Sequence, residues 1–126
     1  IKQITYGTVS GGNKFGEITN ITTIGFNSGD RIDQIMINGV TYGQTGSGTQ
    51  QGPITIRENE YINRVYRIRA AIFVDLIHFD SNRGQSVGGG GSGGADKPDL
   101  DNVRVIGISG STGDFVSQIT LFYVQL

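Results

Sequence analysis

The chain has 126 residues, carries ten basic and eleven acidic side chains for a formal net charge of −1, and contains no cysteine. That length suits one domain, residues 1–126, with a single core, and the near-neutral charge does not favour nucleic acid as a partner. The lack of cysteine excludes disulfides and thiolate metal sites, and no apolar run approaches the about 20 residues of a membrane-spanning helix, so membrane insertion is not expected.

The predicted elements are short strands, without helix. Twenty-one glycines, two prolines and 36% hydrophobic residues are typical of strands joined by tight turns. No window keeps a helical period, whereas apolar and polar residues alternate along several runs, which places one face of each strand in the core. The alternating apolar positions are Ile35, Ile37, Val40, Ile54, Ile56, Val103, Val105 and Ile108. We therefore predict ten to twelve strands of 4–8 residues.

The chain divides into three copies of a 42-residue unit. Residues 29–33 (Gly-Asp-Arg-Ile-Asp) correspond to residues 71–75 (Ala-Ile-Phe-Val-Asp) and to residues 113–117 (Gly-Asp-Phe-Val-Ser). The apolar positions beyond these loops also correspond, namely Ile35 with Ile77 and Ile119, and Ile37 with Phe79 and Leu121. A fixed period of this length marks a repeated supersecondary unit. Three equal apolar faces need a shared interior, so we predict three antiparallel sheets around a pseudo-threefold axis.

A loop that occurs three times favours binding over catalysis, because catalysis needs unlike groups that converge on one point. The only carboxylates that recur in these loops are those at the positions of Asp30 and Asp33. The three loops therefore do not offer one carboxyl group suited to act as an acid and another suited to act as a base. His78, the only histidine, is predicted to face outward on a strand and not to act as a general base. We therefore do not expect an enzyme.

Each repeat also carries one glycine-rich turn, at residues 10–13, 43–48 and 88–94. Glycine lets a ligand approach the backbone N–H without a Cβ in the way. Residues 88–94 taken alone would suit a flexible hairpin linker, but recurrence in every repeat favours a binding role. None of the turns is followed by the Lys-Ser/Thr of a phosphate-binding loop, and none has the register of a calcium-binding nonapeptide array.

Three loops of Gly-x-x-x-Asp type, each paired with a glycine turn such as Gly-Gly-Ser-Gly-Gly at residues 90–94, resemble the jacalin-related lectins. The resemblance covers essentially the whole chain and implies the β-prism I fold, with three Greek-key-like sheets. In that family a hexopyranose sits between the two loops of a repeat. The terminal Asp carboxylate accepts hydrogen bonds from two sugar hydroxyls. The two residues after the loop glycine, and the last glycine of the turn, donate backbone N–H groups.

The resemblance implies three carbohydrate-binding sites. Site one comprises Asp30, Arg31, Asp33 and Gly48; site two comprises Ile72, Phe73, Asp75 and Gly94; site three comprises Asp114, Phe115, Ser117 and Gly12. Ala71 replaces the loop glycine of site two, which would cost about 1 kcal/mol if that position required a positive φ. Ser117 stands where a carboxylate belongs, and a hydroxyl cannot supply two charged acceptor oxygens. Site three is therefore expected to be weak or silent.

The implied function is multivalent binding of mannose- or glucose-type hexoses in glycans or glycoproteins, without a cofactor or a metal. Galactose-binding members of the family use a free N-terminal glycine made by cleavage of the first glycine turn, whereas residues 11–12 lie inside a continuous chain here. Edge strands, or exchange of the N-terminal strand, offer routes to a homodimer. The alternative is a β-prism that serves as a protein-interaction or adhesion module of a larger protein, with little or no sugar binding.

Two charged clusters have other interpretations. Asp96, Asp99 and Asp101 form either a calcium loop or a polar connection, and the glutamate and spacing of a calcium loop are absent. The basic cluster consists of Arg57, Arg64, Arg67 and Arg69. It could bind sulfated glycan or nucleic acid, but the near-neutral net charge favours a solvated outer face.

Overall fold

The structure is a computed structural model that describes residues 1–9, 12–44 and 48–126. The predicted turns at residues 10–13 and 43–48 lie partly outside the described residues, at Ser10, Gly11, Thr45, Gly46 and Ser47. Within the described ranges, no helix is long and apolar enough to cross a membrane.

The described chain consists of strands and their connections, as predicted, and it forms twelve strands. They are β1 Lys2–Gly7, β2 Asn13–Thr19, β3 Thr23–Ser28, β4 Ile32–Ile37, β5 Val40–Tyr42, β6 Thr49–Thr55, β7 Ile62–Ala70, β8 Val74–Ser81, β9 Ser86–Gly90, β10 Ala95–Lys97, β11 Val103–Thr112 and β12 Val116–Gln125. The number agrees with the predicted ten to twelve. The predicted length of 4–8 residues is wrong for five strands, because β5 and β10 have three residues, β7 has nine, and β11 and β12 have ten.

These lengths follow from the place of each strand in its sheet. The long strands lie in the middle of their sheets, and β7 and β11 also contain register shifts, between Tyr66 and Arg69 and between Val105 and Gly107. Such a bulge adds a residue without ending the strand. The two shortest strands lie at sheet edges, where β5 runs into Gly43 and β10 leaves Gly94.

The strands form three four-stranded antiparallel sheets that share one strand order. The order is β5-β4-β3-β6 in the first sheet, β9-β8-β7-β10 in the second and β1-β12-β11-β2 in the third. In the first two sheets, three strands in succession are followed by a fourth that returns beside the first, which is a Greek key. The third sheet reproduces this order with strands from both ends of the chain. The predicted threefold arrangement of antiparallel sheets is therefore confirmed.

The inner faces of the three sheets enclose one core. Phe26 of the first sheet and Phe79 of the second stack within it, with ring centroids 5.8 Å apart. The corresponding apolar positions of the three repeats are fully buried, namely Ile32, Ile35, Ile37, Val74, Ile77, Phe79, Val116, Ile119 and Leu121. Val40 is 50% exposed, contrary to the predicted alternation, because it lies on β5 at the edge of its sheet.

Three hairpin loops, between β3 and β4, between β7 and β8 and between β11 and β12, share one hydrogen bond. The first loop residue donates its N–H to the carbonyl two residues later, which pairs Gly29 with Arg31 at 3.1 Å, Ala71 with Phe73 at 3.1 Å, and Gly113 with Phe115 at 2.9 Å. The repeat found in the sequence is therefore a repeat of backbone conformation. We call the end of the molecule that carries these loops the loop end.

Candidate functional site

An open cavity of about 860 Å³ lies at the loop end, between the first and second hairpin loops. All eight predicted residues of site one and site two line it, together with Phe115 of site three. Gly12, Asp114 and Ser117 do not contribute to its lining. The volume falls in the range of about 300–1,000 Å³ that is usual for small-molecule sites. The fold therefore brings the two sites that keep an aspartate into one cavity.

The third residues of the three hairpin loops pack against one another at the loop end. The guanidinium of Arg31 lies 4.9 Å from the ring centroid of Phe73 and 5.0 Å from that of Phe115. The two rings meet edge to face at 5.4 Å. Cation–π contacts of this kind contribute about 0.5–1 kcal/mol at exposed sites. The family resemblance implies a role only for the N–H groups of these residues, although their 42-residue spacing marks the side chains as a set as well.

Site two is built around a carboxylate that is almost completely buried. Asp75 is 5% exposed, and its Oδ1 lies 3.8 Å from Nε of Arg31 in the neighbouring loop. The glycine turn presses on the same group: a Cβ on Gly93 would lie 2.8 Å from Asp75 Oδ1, and one on Gly94 would overlap Oδ2. Only glycine leaves this space between the turn and the carboxylate.

Site two also has backbone donors. Among the described residues, the N–H groups of Ile72 and Phe73 donate no hydrogen bond within the protein. Ile72 is 63% exposed, and its carbonyl accepts a hydrogen bond from Thr8 Oγ1 at 2.9 Å, which ties the second loop to the connection that follows β1. Ile72, Phe73 and Asp75 all line the cavity, so the free donors and the carboxylate of site two belong to one opening.

Site one repeats this arrangement with a less buried carboxylate. A Cβ on Gly48 would lie 2.5 Å from Asp33 Oδ2, so the glycine is in close contact with the acceptor, as Gly94 is in site two. Burial raises the pKa of Asp33 above its ordinary value. On acidification, the acceptor capacity of site one is therefore lost at a higher pH than for an ordinary aspartate. Residues 45–47 of its turn lie outside the described residues.

At site three, the residue in the position of the loop-end aspartate does not present an acceptor to the solvent. Ser117 is fully buried, and its hydroxyl donates a hydrogen bond to the carbonyl of Ser111 at 3.0 Å. Its own carbonyl accepts from the N–H of Thr8 at 2.9 Å. Asp114 is exposed on the loop. That the third site is weak or silent stays a prediction.

Alanine is accommodated at the start of the second loop without strain. The corresponding Gly29 does not lie in the left-handed region, and a Cβ there would meet no atom within 4 Å. Ala71 also lies outside that region and makes the same loop hydrogen bond. Ala71 would destabilise the loop only if its position required a positive φ, and it does not.

Two arginines of the basic cluster pair with the three aspartates of the acidic cluster. Arg64 lies 2.8 Å from Asp101 and 3.4 Å from Asp99, and Arg69 lies 2.6 Å from Asp96. Such exposed pairs are screened by solvent and contribute little to stability. Within residues 1–9, 12–44 and 48–126, no group of three or more His, Asp and Glu side chains is arranged to hold a metal ion. For the arginines, the pairing favours a solvated outer face over an anion-binding site. For the aspartates, it favours a polar connection over a calcium loop.

His78 lies on the outer face of β8, between the buried Ile77 and Phe79, as predicted. Its ring is half-buried, because it packs on the backbone of Gly88 and lies 5.5 Å from the ring of Tyr66. Burial lowers the pKa of His78 below its usual range. These contacts explain the residue as part of the sheet surface.

Residues 5–122 match the family model of the jacalin-like lectin domain. The chain belongs to the jacalin-like lectin family. Griffithsin from Griffithsia sp. (strain Q66D336) is 37% identical to it over 117 residues, which is 92% of each chain. Frutapin, a lectin from Artocarpus incisa, superposes with a TM-score of 0.75 at 21% identity, covering 98% of this chain and 96% of frutapin. Artocarpin complexed with methyl-α-mannose superposes with a TM-score of 0.71 at 20% identity, covering 98% of each chain.

These comparisons confirm the predicted resemblance and identify the three-sheet architecture as the β-prism of jacalin-like lectins. The family match contains all three hairpin loops and every predicted site residue. The relatives are lectins, which are carbohydrate-binding proteins and not enzymes. The assignment of individual residues to sugar binding stays a prediction for this jacalin-like lectin.

Proposed function

We propose that this jacalin-like lectin binds mannose- or glucose-type hexoses of glycans at site one and site two. The shared cavity carries this proposal, because each site places a carboxylate, loop N–H groups and a turn glycine at the same opening. The fold it shares with artocarpin, whose structure is a complex with methyl-α-mannose, supports a sugar of the mannose type.

In each site the side chain accepts hydrogen bonds and the backbone donates them. The ionised carboxylate of Asp33 or Asp75 offers two oxygens, which suit two adjacent hydroxyls of a hexose. Charge-assisted hydrogen bonds of this kind are the stronger class. The N–H groups of the loop and of the turn glycine bind further sugar oxygens. Because strand ends hold these donors in place, little conformational entropy is lost on binding.

A single hexose should bind weakly, and a branched glycan more tightly. A shallow site with one carboxylate and a few N–H groups reaches about millimolar affinity, near −4 kcal/mol. Site one and site two open into one cavity, so two branches of the same glycan can occupy them together. Effective concentration alone then raises the apparent affinity by roughly 10²–10⁴.

The proposed preference is for mannose or glucose over galactose. Galactose-binding members of the family carry a free N-terminal glycine produced by cleavage in the first glycine turn, as the resemblance implies. In this chain Gly11 and Gly12 follow one another inside a continuous polypeptide, and Gly11 lies outside the described residues. Galactose that blocks mannose binding at an equal or lower concentration would contradict this preference.

The deciding experiment is a glycan array with the wild type and an Asp33→Asn, Asp75→Asn double variant, followed by calorimetry. We expect the wild type to bind high-mannose glycans and the double variant to lose them, because an amide offers one acceptor oxygen and no charge. Asp114→Asn is the matched control, since it makes the same chemical change on the exposed third loop.

Calorimetry with free mannose and with a branched high-mannose oligosaccharide then tests multivalency. Asp33→Ala should remove most of the gain shown by the branched ligand. Shared occupancy of the two sites would be refuted if the wild type bound the branched ligand no more tightly than mannose. It would also be refuted if Asp33→Ala kept the full gain in affinity. A wild type that binds no glycan would instead favour the protein-interaction or adhesion module.

A further inference from the structure

The glycine turn of site two is held by one arginine from β7. Arg69 donates from Nε to the carbonyl of Gly93 at 2.9 Å and from Nη2 to the carbonyl of Gly94 at 2.8 Å. The third nitrogen of the same guanidinium donates to Asp96 Oδ1 at 2.6 Å. The planar fork of arginine is suited to such simultaneous bonds. One side chain thus fixes the two glycines that press on the carboxylate of Asp75.

Two further hydrogen bonds fix the start of this turn. The N–H of Gly90 donates to Ser28 Oγ of the neighbouring repeat at 3.0 Å, and the N–H of Gly91 donates to the carbonyl of Asp75 at 2.8 Å. A run of glycines loses more conformational freedom on ordering than any other sequence. With the start already anchored, the Arg69 guanidinium supplies the bonds that order its end.

The other two repeats do not have an arginine at this position. Asn27 and Ser111 occupy the places that correspond to Arg69, and their side chains are shorter. Asn27 Oδ1 and Ser111 Oγ are buried and have no hydrogen-bond partner among the described residues. The guanidinium clamp on a turn is therefore a feature of the second repeat.

We propose that Arg69 is a positioning residue that preorganises site two and makes it the tighter of the two sugar sites. This inference rests on the proposed function, since it ranks the sites that the proposal names. Arg69 does not line the cavity; it acts through the backbone of Gly93 and Gly94. A turn that is already ordered leaves less entropy to be lost when the hexose binds.

The test is a nitrogen-15 NMR titration with methyl α-mannoside that reads the amides of Gly94 and Gly48 separately. In the wild type we expect a lower dissociation constant at Gly94 than at Gly48. Arg69→Gln should raise the constant at Gly94 at least about tenfold, and leave that at Gly48 unchanged. Arg69→Lys, which keeps the charge without the fork, should give a smaller loss.

A control variant and a second readout separate positioning from a general loss of structure. Arg64→Gln removes the same charge from the same strand, where it pairs with Asp99 and Asp101, and should change neither constant. In the absence of sugar, the nitrogen-15 relaxation order parameters of Gly93 and Gly94 should fall in Arg69→Gln only, because the turn loses its anchors.

Several results would overturn the inference while the proposed function stands. They are a dissociation constant at Gly94 that Arg69→Gln leaves unchanged, an equal loss of affinity at Gly48, unaltered order parameters of the turn amides, and tighter wild-type binding at site one. A wild type that shows no shift at either glycine refutes the proposed function, and with it this ranking.

Discussion

Gly94→Ala should separate the geometry of site two from the stability of the fold. Gly94 has a φ of +69°, a conformation that L side chains rarely adopt. A Cβ at this position would also overlap Asp75 Oδ2 and lie 2.9 Å from the carbonyl carbon of Ala70. The substitution therefore adds backbone strain and displaces the predicted acceptor at the same time.

The two effects have different magnitudes and different readouts. Left-handed backbone costs an alanine about 1–2 kcal/mol, which in a domain of this size lowers the melting temperature by about 4–8 °C. Displacing Asp75 removes at least one charge-assisted hydrogen bond to the sugar, worth about 1.5–3 kcal/mol. Affinity at site two should then fall about 10- to 150-fold.

Two other glycines provide matched controls. Gly84 has a φ of +84°, and a Cβ there would meet no atom within 4 Å, so Gly84→Ala adds strain without a clash. Gly93 lies outside the left-handed region, and its Cβ would lie 2.8 Å from Asp75 Oδ1, so Gly93→Ala adds the clash without the strain. We expect Gly84→Ala to lower only the melting temperature and Gly93→Ala to lower mainly the affinity.

Calorimetric melting and a methyl α-mannoside titration followed by NMR measure the two quantities. Wild-type affinity at site two in Gly94→Ala would refute the reasoning, because it would show that the turn and Asp75 do not form one site. A loss of affinity in Gly84→Ala equal to that in Gly94→Ala would also refute it, since strain alone would then explain the effect.

Two more predictions concern other parts of the molecule. Ser117→Asp should add or strengthen a third mannose site, at the expense of the hydrogen bond from Ser117 Oγ to the carbonyl of Ser111. Mannose-soaked crystals of the wild type that fill the Ser117 site and leave the other two empty would contradict the prediction that sites one and two bind mannose better than site three. Buried Glu60 accepts hydrogen bonds from Ser81, then Gln85 and the N–H of Arg57, which lower its pKa from 4.5 to about 2. Its stabilising contribution is complete above pH 4.5 and is lost as the pH falls toward 2. Glu60→Gln should therefore flatten the acid limb of urea-unfolding free energies between these pH values, whereas equal slopes in variant and wild type would contradict this.

The sequence by itself determined the repeat, and the repeat determined most of the fold. A 42-residue period with alternating apolar positions implies equal strands, equal loops and one shared core, because identical patterns bury identical faces. The pairing of Asp33 with Gly48 and of Asp75 with Gly94 follows from the same register together with the family resemblance, and the structure places the members of each pair in close contact. Strand length was less well predicted, since bulges and sheet edges depend on neighbours that a local pattern does not contain.

Only the tertiary structure decided which residues meet across repeats. Closure of the third sheet with strands from both chain ends brings the loops around one axis, so that Arg31 contacts Phe73 and Phe115 and approaches Asp75. The clamp of Arg69 on its turn lies within the second repeat, but it too joins residues that are 24 and 25 positions apart and that only the fold brings together. A periodic sequence specifies what each repeat contains, but contacts between repeats arise only when the chain closes on itself and excludes water from a common core.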